Sequence, residues 1–134
     1  MEHFPEMPPN LTKNQALVLA ALSNSSGPLS AYTILDLLRN KGFRAPLQVY
    51  RALDKLVEYG MVHRLESMNA FVACQHSDGG NLSTVAFTIC GTCGDVAEIS
   101  NEALETTLSK LAMNLGFTPK KSMIEIFGYC DLCH

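Results

Sequence analysis

Pro46-Leu-Gln-Val-Tyr-Arg-Ala-Leu-Asp-Lys-Leu-Val-Glu-Tyr-Gly-Met-Val-His-Arg-Leu-Glu-Ser-Met-Asn-Ala-Phe-Val72 decides the fold of the N-terminal half. Proline suits a first helical turn because its missing N–H is not needed there. The pattern predicts a helix from Val49 to Tyr59 that stops at Gly60. Two short β-like runs follow, 61–65 and 70–73, with Glu66-Ser-Met-Asn69 as the turn between them. Upstream, Thr12 and Gln15 stand at the N-cap and capping-box positions of a first helix. Its expected apolar stripe is Ala16, Leu17, Leu19, Ala20 and Leu22, and it ends in Ser23-Asn-Ser-Ser-Gly-Pro28. Ser30 caps a second helix over 31–39, with Ile34, Leu35, Leu37 and Leu38 toward a core, and Gly42 stops it. Three helices and a hairpin, in that order, predict a winged helix whose third helix enters the major groove while the hairpin flanks the backbone. Residues 1–10 hold three prolines and read as an arm, with His3 a solvated tail residue.

The second half is organised by cysteine. Cys90-Gly-Thr-Cys93 and Cys130-Asp-Leu-Cys133 hold four of the five cysteines. Two residues between thiolates let both sulfurs of a pair reach one metal, and two such pairs close a tetrahedral site that suits Zn2+. Thirty-six residues separate the pairs, enough for a small αβ unit inside the clamp. That unit is expected to comprise a strand at Val96-Ala-Glu-Ile99, an amphipathic helix over 102–115 with Leu104, Leu108, Leu111 and Met113 to Leu115 inside, and a strand over 121–129. Two disulfides would need an oxidising compartment, and no secretory signal stands in the sequence. A redox Cys-x-x-Cys usually opens a helix behind a strand, and one suffices.

With 134 residues, 47% hydrophobic and 17% charged, the chain can build a modest core that a metal staple or dimerisation would support. It carries no apolar run of transmembrane length, so a membrane partner is not expected and a cytoplasmic location is. Net charge is −3, but residues 1–66 carry seven Lys/Arg against six Asp/Glu, and residues 67–134 three against seven. The asymmetry permits a DNA-binding first half. No nucleophile triad, phosphate loop or carboxylate pair argues for an enzyme or a small organic substrate.

Residues 46–72, with Val49-Tyr-Arg-Ala-Leu53 at their core, Gly60-Met-Val-His63 after it and the two later cysteine pairs in order and spacing, resemble the ferric uptake regulator family. The resemblance covers roughly 11–133. Arg64-Leu-Glu-Ser-Met-Asn-Ala-Phe-Val-Ala-Cys74 is similar to the wing of its zinc uptake branch, and the stretch 84–89 lacks the histidine-rich run usual in iron- and peroxide-sensing members. The resemblance implies an α+β chain divided into a winged-helix domain (1–73), a hinge (74–83) and an αβ dimerisation domain (84–134) with the four-cysteine zinc clamp. It implies two Zn2+ per protomer, one structural in Cys90, Cys93, Cys130 and Cys133, one regulatory at the junction of the domains. His63, Cys74 and Glu98 are the regulatory ligands carried over; Zn2+ accepts N, S and O donors together. The branch usually adds a histidine where this chain has Ser83. His76 is the nearest substitute, two residues after Cys74 and on the same face of an extended backbone, with Asp78 or water as alternatives.

DNA contacts carry over to Arg51, which can fork to guanine, and Tyr32. Tyr50 and Arg64 are candidates for phosphate contact. Gln15 stands where the family usually has arginine, and Leu47-Gln48 replace its usual Pro-Thr, so Gln48 is a candidate adenine reader. Asp36 and Arg39 are one turn apart and form either an intrahelical pair or a contact between dimers. These features lead to the expectation of a zinc-responsive repressor binding double-stranded operator DNA as a homodimer and controlling zinc uptake genes. The rivals are a thiol-based redox sensor or oxidoreductase, a zinc-ribbon adaptor that does not bind DNA, and a regulator of the same family answering to another metal.

Overall fold

The computed structural model describes residues 10–74, 84–99 and 101–133, and the chain forms two compact units, 1–80 and 81–134. The expected arm with His3, and almost all of the expected hinge, lie outside the described residues.

The first unit contains α1 (Lys13–Ser23), α2 (Ala31–Leu38), a 3-10 turn (Arg39–Lys41), α3 (Pro46–Glu58), β1 (Val62–Leu65) and β2 (Ala70–Ala73). Local chemistry sets these boundaries. Thr12 and Gln15 form the reciprocal capping box, each backbone N–H donating to the other's side chain at 3.1 Å. Ser30 Oγ accepts from Thr33 N–H at 3.1 Å. At the end of α3, Gly60 takes φ +77°, and Met61 N–H reaches back to Leu56 C=O at 3.0 Å, a closure that suits glycine because it has no Cβ to clash. β1 and β2 pair antiparallel from Val62 with Ala73 to Leu65 with Ala70, as a wing should. An isolated bridge between Leu29 and Phe71 extends the hairpin, a pairing the sequence reading did not anticipate.

Val18, Ile34, Val49, Leu53 and Leu56 are fully buried in one core with Leu35, Phe43 and Val62. Each fully buried large side chain contributes about 1.5–3 kcal/mol. Several expected core positions change: Ala16 and Ala20 are exposed, and Leu17 and Leu19 only half-buried. Val18, not its neighbours Leu17 and Leu19, is the fully buried residue of α1. Leu37 is 55% exposed, because the buried stripe of α2 runs Ala31, Ile34, Leu35, Leu38 and leaves position 37 off phase.

The second unit contains β3 (Thr84–Cys90), β4 (Val96–Ile99), α4 (Glu102–Met113) and β5 (Ser122–Gly128). The sheet order is β4-β3-β5, with β3 antiparallel to β4 and parallel to β5. The sequence reading placed β4, α4 and β5 but not β3, the central strand, which buries Val85, Ala86, Phe87 and Ile89. Asn101 caps α4, its Oδ1 accepting from Leu104 N–H at 3.1 Å. The expectation that Leu111, Met113 and Leu115 lie inside is corrected: all three are exposed, while Leu104 and Leu108 are half-buried. Among the described residues no helix is long and apolar enough to cross a membrane.

Candidate metal centre and DNA-facing surface

β3 and β5 are parallel and in register, with Cys90 opposite Gly128. Both cysteine pairs therefore leave the same end of the sheet, and the long gap between them is the β4-α4 crossover that a parallel pairing requires. Gly91 N–H donates to Gly128 C=O at 2.8 Å and Gly94 N–H to Cys90 C=O at 3.0 Å, curling the first knuckle; Cys133 N–H donates to Cys130 C=O at 2.9 Å in the second. Gly94 turns at φ +78°, a conformation a side chain would strain.

The four sulfurs lie within 4.8 Å of one another, and Cys93 Sγ is 3.7 Å from Cys130 Sγ. Zn–S bonds of about 2.3 Å place tetrahedral sulfurs about 3.8 Å apart. The donor set thus fits zinc in number, type and spacing, and none of the five cysteines is in a disulfide. Cys93 and Cys130 N–H groups both donate to Cys90 Sγ at 3.5 Å. These donors, with Thr92, hold the Cys90 thiol down to about 6. Cys133 is pushed up to about 12 by hydrogen bonds with Cys130 and Cys90, with burial adding to the effect. At Cys93 the Asp95 N–H pulls the pKa down, but the contact with Cys90 and burial outweigh it and the thiol is raised. The first pair opens a turn into β4 rather than a helix, unlike the redox arrangement.

In the first unit, His63 sits on β1 opposite Val72 and is 6% exposed. Cys74 follows β2, its N–H donating to Met61 C=O at 2.9 Å. The fold brings these two together: their ligand atoms lie within 4.8 Å of each other. Glu98 belongs to the second unit, half-buried on β4 opposite Phe87. His76, Asp78 and Ser83 lie outside the described residues.

The exposed residues of α3 are Leu47, Arg51, Asp54, Lys55 and Glu58, and among the described residues Arg51 makes no ion pair; Glu58 pairs instead with Lys55 at 3.4 Å. Tyr32, at the start of α2, is 61% exposed. Tyr50 is half-buried and packs on the core. Arg64 is held on the wing, donating to Asn69 Oδ1 at 3.0 Å and lying over the Phe71 ring at 5.9 Å. Gln48 is occupied: its Oε1 accepts from the backbone N–H of Arg44 at 2.6 Å and of Ala45 at 3.0 Å. Asp36 near the end of α2 pairs with Arg39 at the start of the 3-10 turn at 3.1 Å. Sequence reasoning noted Leu47 as a departure but gave it no role, and did not include Asn69, whose φ of +51° aims its side chain at Arg64.

Against known proteins, the model of the ferric uptake regulator family matches residues 9–127. The chain is 41% identical, over 92% of its own length and 72% of the relative's, to the zinc uptake regulation protein of Escherichia coli K12, and equally to that of Shigella flexneri. Among solved structures it is similar to holo XcZur, with 38% identity, 96% and 89% of the two chains covered and a TM-score of 0.84. It is also similar to a zinc uptake regulator complexed with zinc and DNA, with 40% identity, 92% and 82% covered and a TM-score of 0.84.

Proposed function

Because this chain belongs to the ferric uptake regulator family, we propose that it is a zinc-responsive transcriptional repressor that binds operator DNA as a metal-loaded homodimer and controls zinc uptake genes. The observation that carries the zinc response is the pairing of His63 with Cys74, whose ligand atoms lie within 4.8 Å of each other at the base of the wing. A buried imidazole beside a thiol is a poor choice for packing alone and a good start for a borderline-soft metal. Glu98 is the third ligand by the family pattern, and His76, the nearest substitute for the histidine that the branch usually places at the position of Ser83, is the fourth. Cys90, Cys93, Cys130 and Cys133 hold the second zinc, giving two per protomer.

Zinc, when bound, supplies coordinate bonds and charge and no reaction. His63 and Cys74 tie the strand ends of the wing, so occupancy restricts the conformations open to it. Arg51 on α3 forks to guanine in the major groove, and Tyr32 touches the neighbouring base edge. Tyr50 and Arg64 serve the phosphates. Moving a protein from mostly unable to mostly able to bind DNA takes about 5 kcal/mol of differential metal affinity, within reach of a multidentate zinc site. A zinc uptake regulator of known structure binds zinc and DNA together, which supports this coupling.

The test is zinc content per protomer for wild type, Cys74→Ser and His76→Ala, alongside operator binding with and without added zinc. Two zincs in wild type and one in Cys74→Ser, with DNA binding lost, is the expected result. His76→Ala losing the same zinc would assign the fourth ligand. A single zinc indifferent to Cys74→Ser, with DNA binding indifferent to metal, would sink the sensor.

A further inference from the structure

The groove-facing helix has an apolar reader as well as a basic one. Positions 47, 51, 54, 55 and 58 are its exposed residues, and side chains four apart on a helix share a face. In the C-terminal half Asp54 and Glu58 repel phosphates and Lys55 is paired with Glu58 at 3.4 Å, so the N-terminal half does the reading, and its exposed residues are Leu47 and Arg51. Gln48, the polar neighbour suited to adenine, has its carboxamide oxygen engaged by the N–H groups of Arg44 and Ala45. A bidentate contact to adenine needs that oxygen and the amide nitrogen together. Leu47 is 56% exposed, whereas the other apolar residue of this turn, Val49, is fully buried.

We propose that Leu47 is a specificity-determining residue that packs on the 5-methyl group of a thymine near the guanine read by Arg51. This rests on the operator-binding reading above. An isobutyl group makes no hydrogen bond to a base edge, and thymine is the only standard base that offers a methyl in the major groove. Four residues advance the helix by about 6 Å, which sets the thymine within roughly two base-pair steps of about 3.4 Å each from that guanine.

The experiment starts from zinc-loaded full-length protein and a library of random duplexes, from which wild type selects its preferred sequence. Each thymine of the selected duplex is then replaced singly by uracil, which removes only the methyl, and binding is measured for wild type, Leu47→Ala and Leu47→Met. Arg51→Ala locates the guanine as the position to which that variant becomes insensitive. One thymine-to-uracil change near that guanine should weaken wild type and Leu47→Met about fourfold, the worth of one buried methyl, and leave Leu47→Ala unmoved. Equal weakening of Leu47→Ala, or no uracil effect at any thymine near the guanine, overturns the assignment to Leu47 while leaving the repressor intact. Wild type enriching no sequence overturns the repressor reading and this proposal with it.

Discussion

Ala45 precedes α3 where a serine, threonine or aspartate would normally cap the first turn, and its methyl side chain accepts nothing. Gln48, at the third position of the helix, reaches back to accept from the backbone N–H groups of Arg44 and Ala45 that lie just before it. Replacing Gln48 by alanine should therefore cost about 1 kcal/mol of stability in the first unit, the usual worth of a helix cap. Urea denaturation measures it, and an unchanged midpoint would show the cap to be idle. Arg51 predicts the converse. Exposed and unpaired among the described residues, it should tolerate alanine with stability and zinc content intact. Operator binding should weaken by about 1–3 kcal/mol, the worth of a bidentate guanine contact. Binding that weakens equally on all sequences would reassign Arg51 to the phosphates. Residue type suggests adenine for Gln48, but its oxygen is engaged by the N–H groups of Arg44 and Ala45, an arrangement that depends on backbone geometry not visible in composition.

At the scale of elements, whatever was set by short-range rules was legible and whatever was set by long-range pairing was not. Thr12 with Gln15, Ser30, Gly42 and Gly60 mark helix ends by chemistry within a few residues, and α1 to α3 fall where those marks stand. β3 carries no alternation because it is buried on both faces; Thr-Val-Ala-Phe-Thr-Ile-Cys looks the same as any apolar run. Its parallel partner β5 begins 32 residues after β3 ends, beyond any local signal. The cysteine pairs were read correctly as one cluster because the metal imposes its own spacing, and the β3–β5 register supplies the reason they meet. The pairing of His63 with Cys74 was anticipated through the family resemblance, since neither residue alone distinguishes a ligand from an ordinary strand residue.

The same cluster makes a pH prediction. In the metal-free protein at neutral pH, Cys90 is largely thiolate, since its thiol titrates near 6. Cys133, pushed up to about 12, and Cys93, also raised, keep their protons. Zinc must displace those protons, so its affinity should rise with pH through the neutral range and fall as acid competes for the sulfurs. Calorimetric titration at pH 7 in buffers of differing ionisation enthalpy should count more than one proton released per structural zinc. Release of none would mean that the thiolates are preformed. Stripping this zinc with a chelator should loosen the end of the sheet where Cys90 faces Gly128, seen as faster amide exchange at Gly91 and Cys130.

On the scale of the whole molecule, the distribution of uncovered apolar surface is lopsided. Among the described residues, ten of the fourteen exposed large hydrophobic side chains belong to the second unit, including Leu111, Met113, Ile126 and Phe127. A free-standing domain rarely tolerates so dense an apolar exposure, and a second copy of the same chain is the cover that needs no further partner. Two copies also match a palindromic operator, whose half-sites lie one helical turn or a multiple of it apart, with one winged helix for each. If the proposed homodimer uses this face, a charge placed on it must be buried without a partner, at a cost on the order of 3–5 kcal/mol. Phe127, 61% exposed on β5, is the position to change. Phe127→Glu should sediment as a monomer at concentrations where wild type is a dimer, yet retain the four-cysteine zinc, since the charge leaves all four sulfurs in place. Its operator binding should become steeply dependent on protein concentration, because the dimer must then assemble on the DNA. Phe127→Leu, similar in character and smaller, should remain dimeric. A Phe127→Glu protein that stays dimeric with zinc bound would show that the subunits meet elsewhere. The apolar face would then need a different occupant, and the coupling of zinc to DNA would have to act within each protomer rather than through the spacing of two.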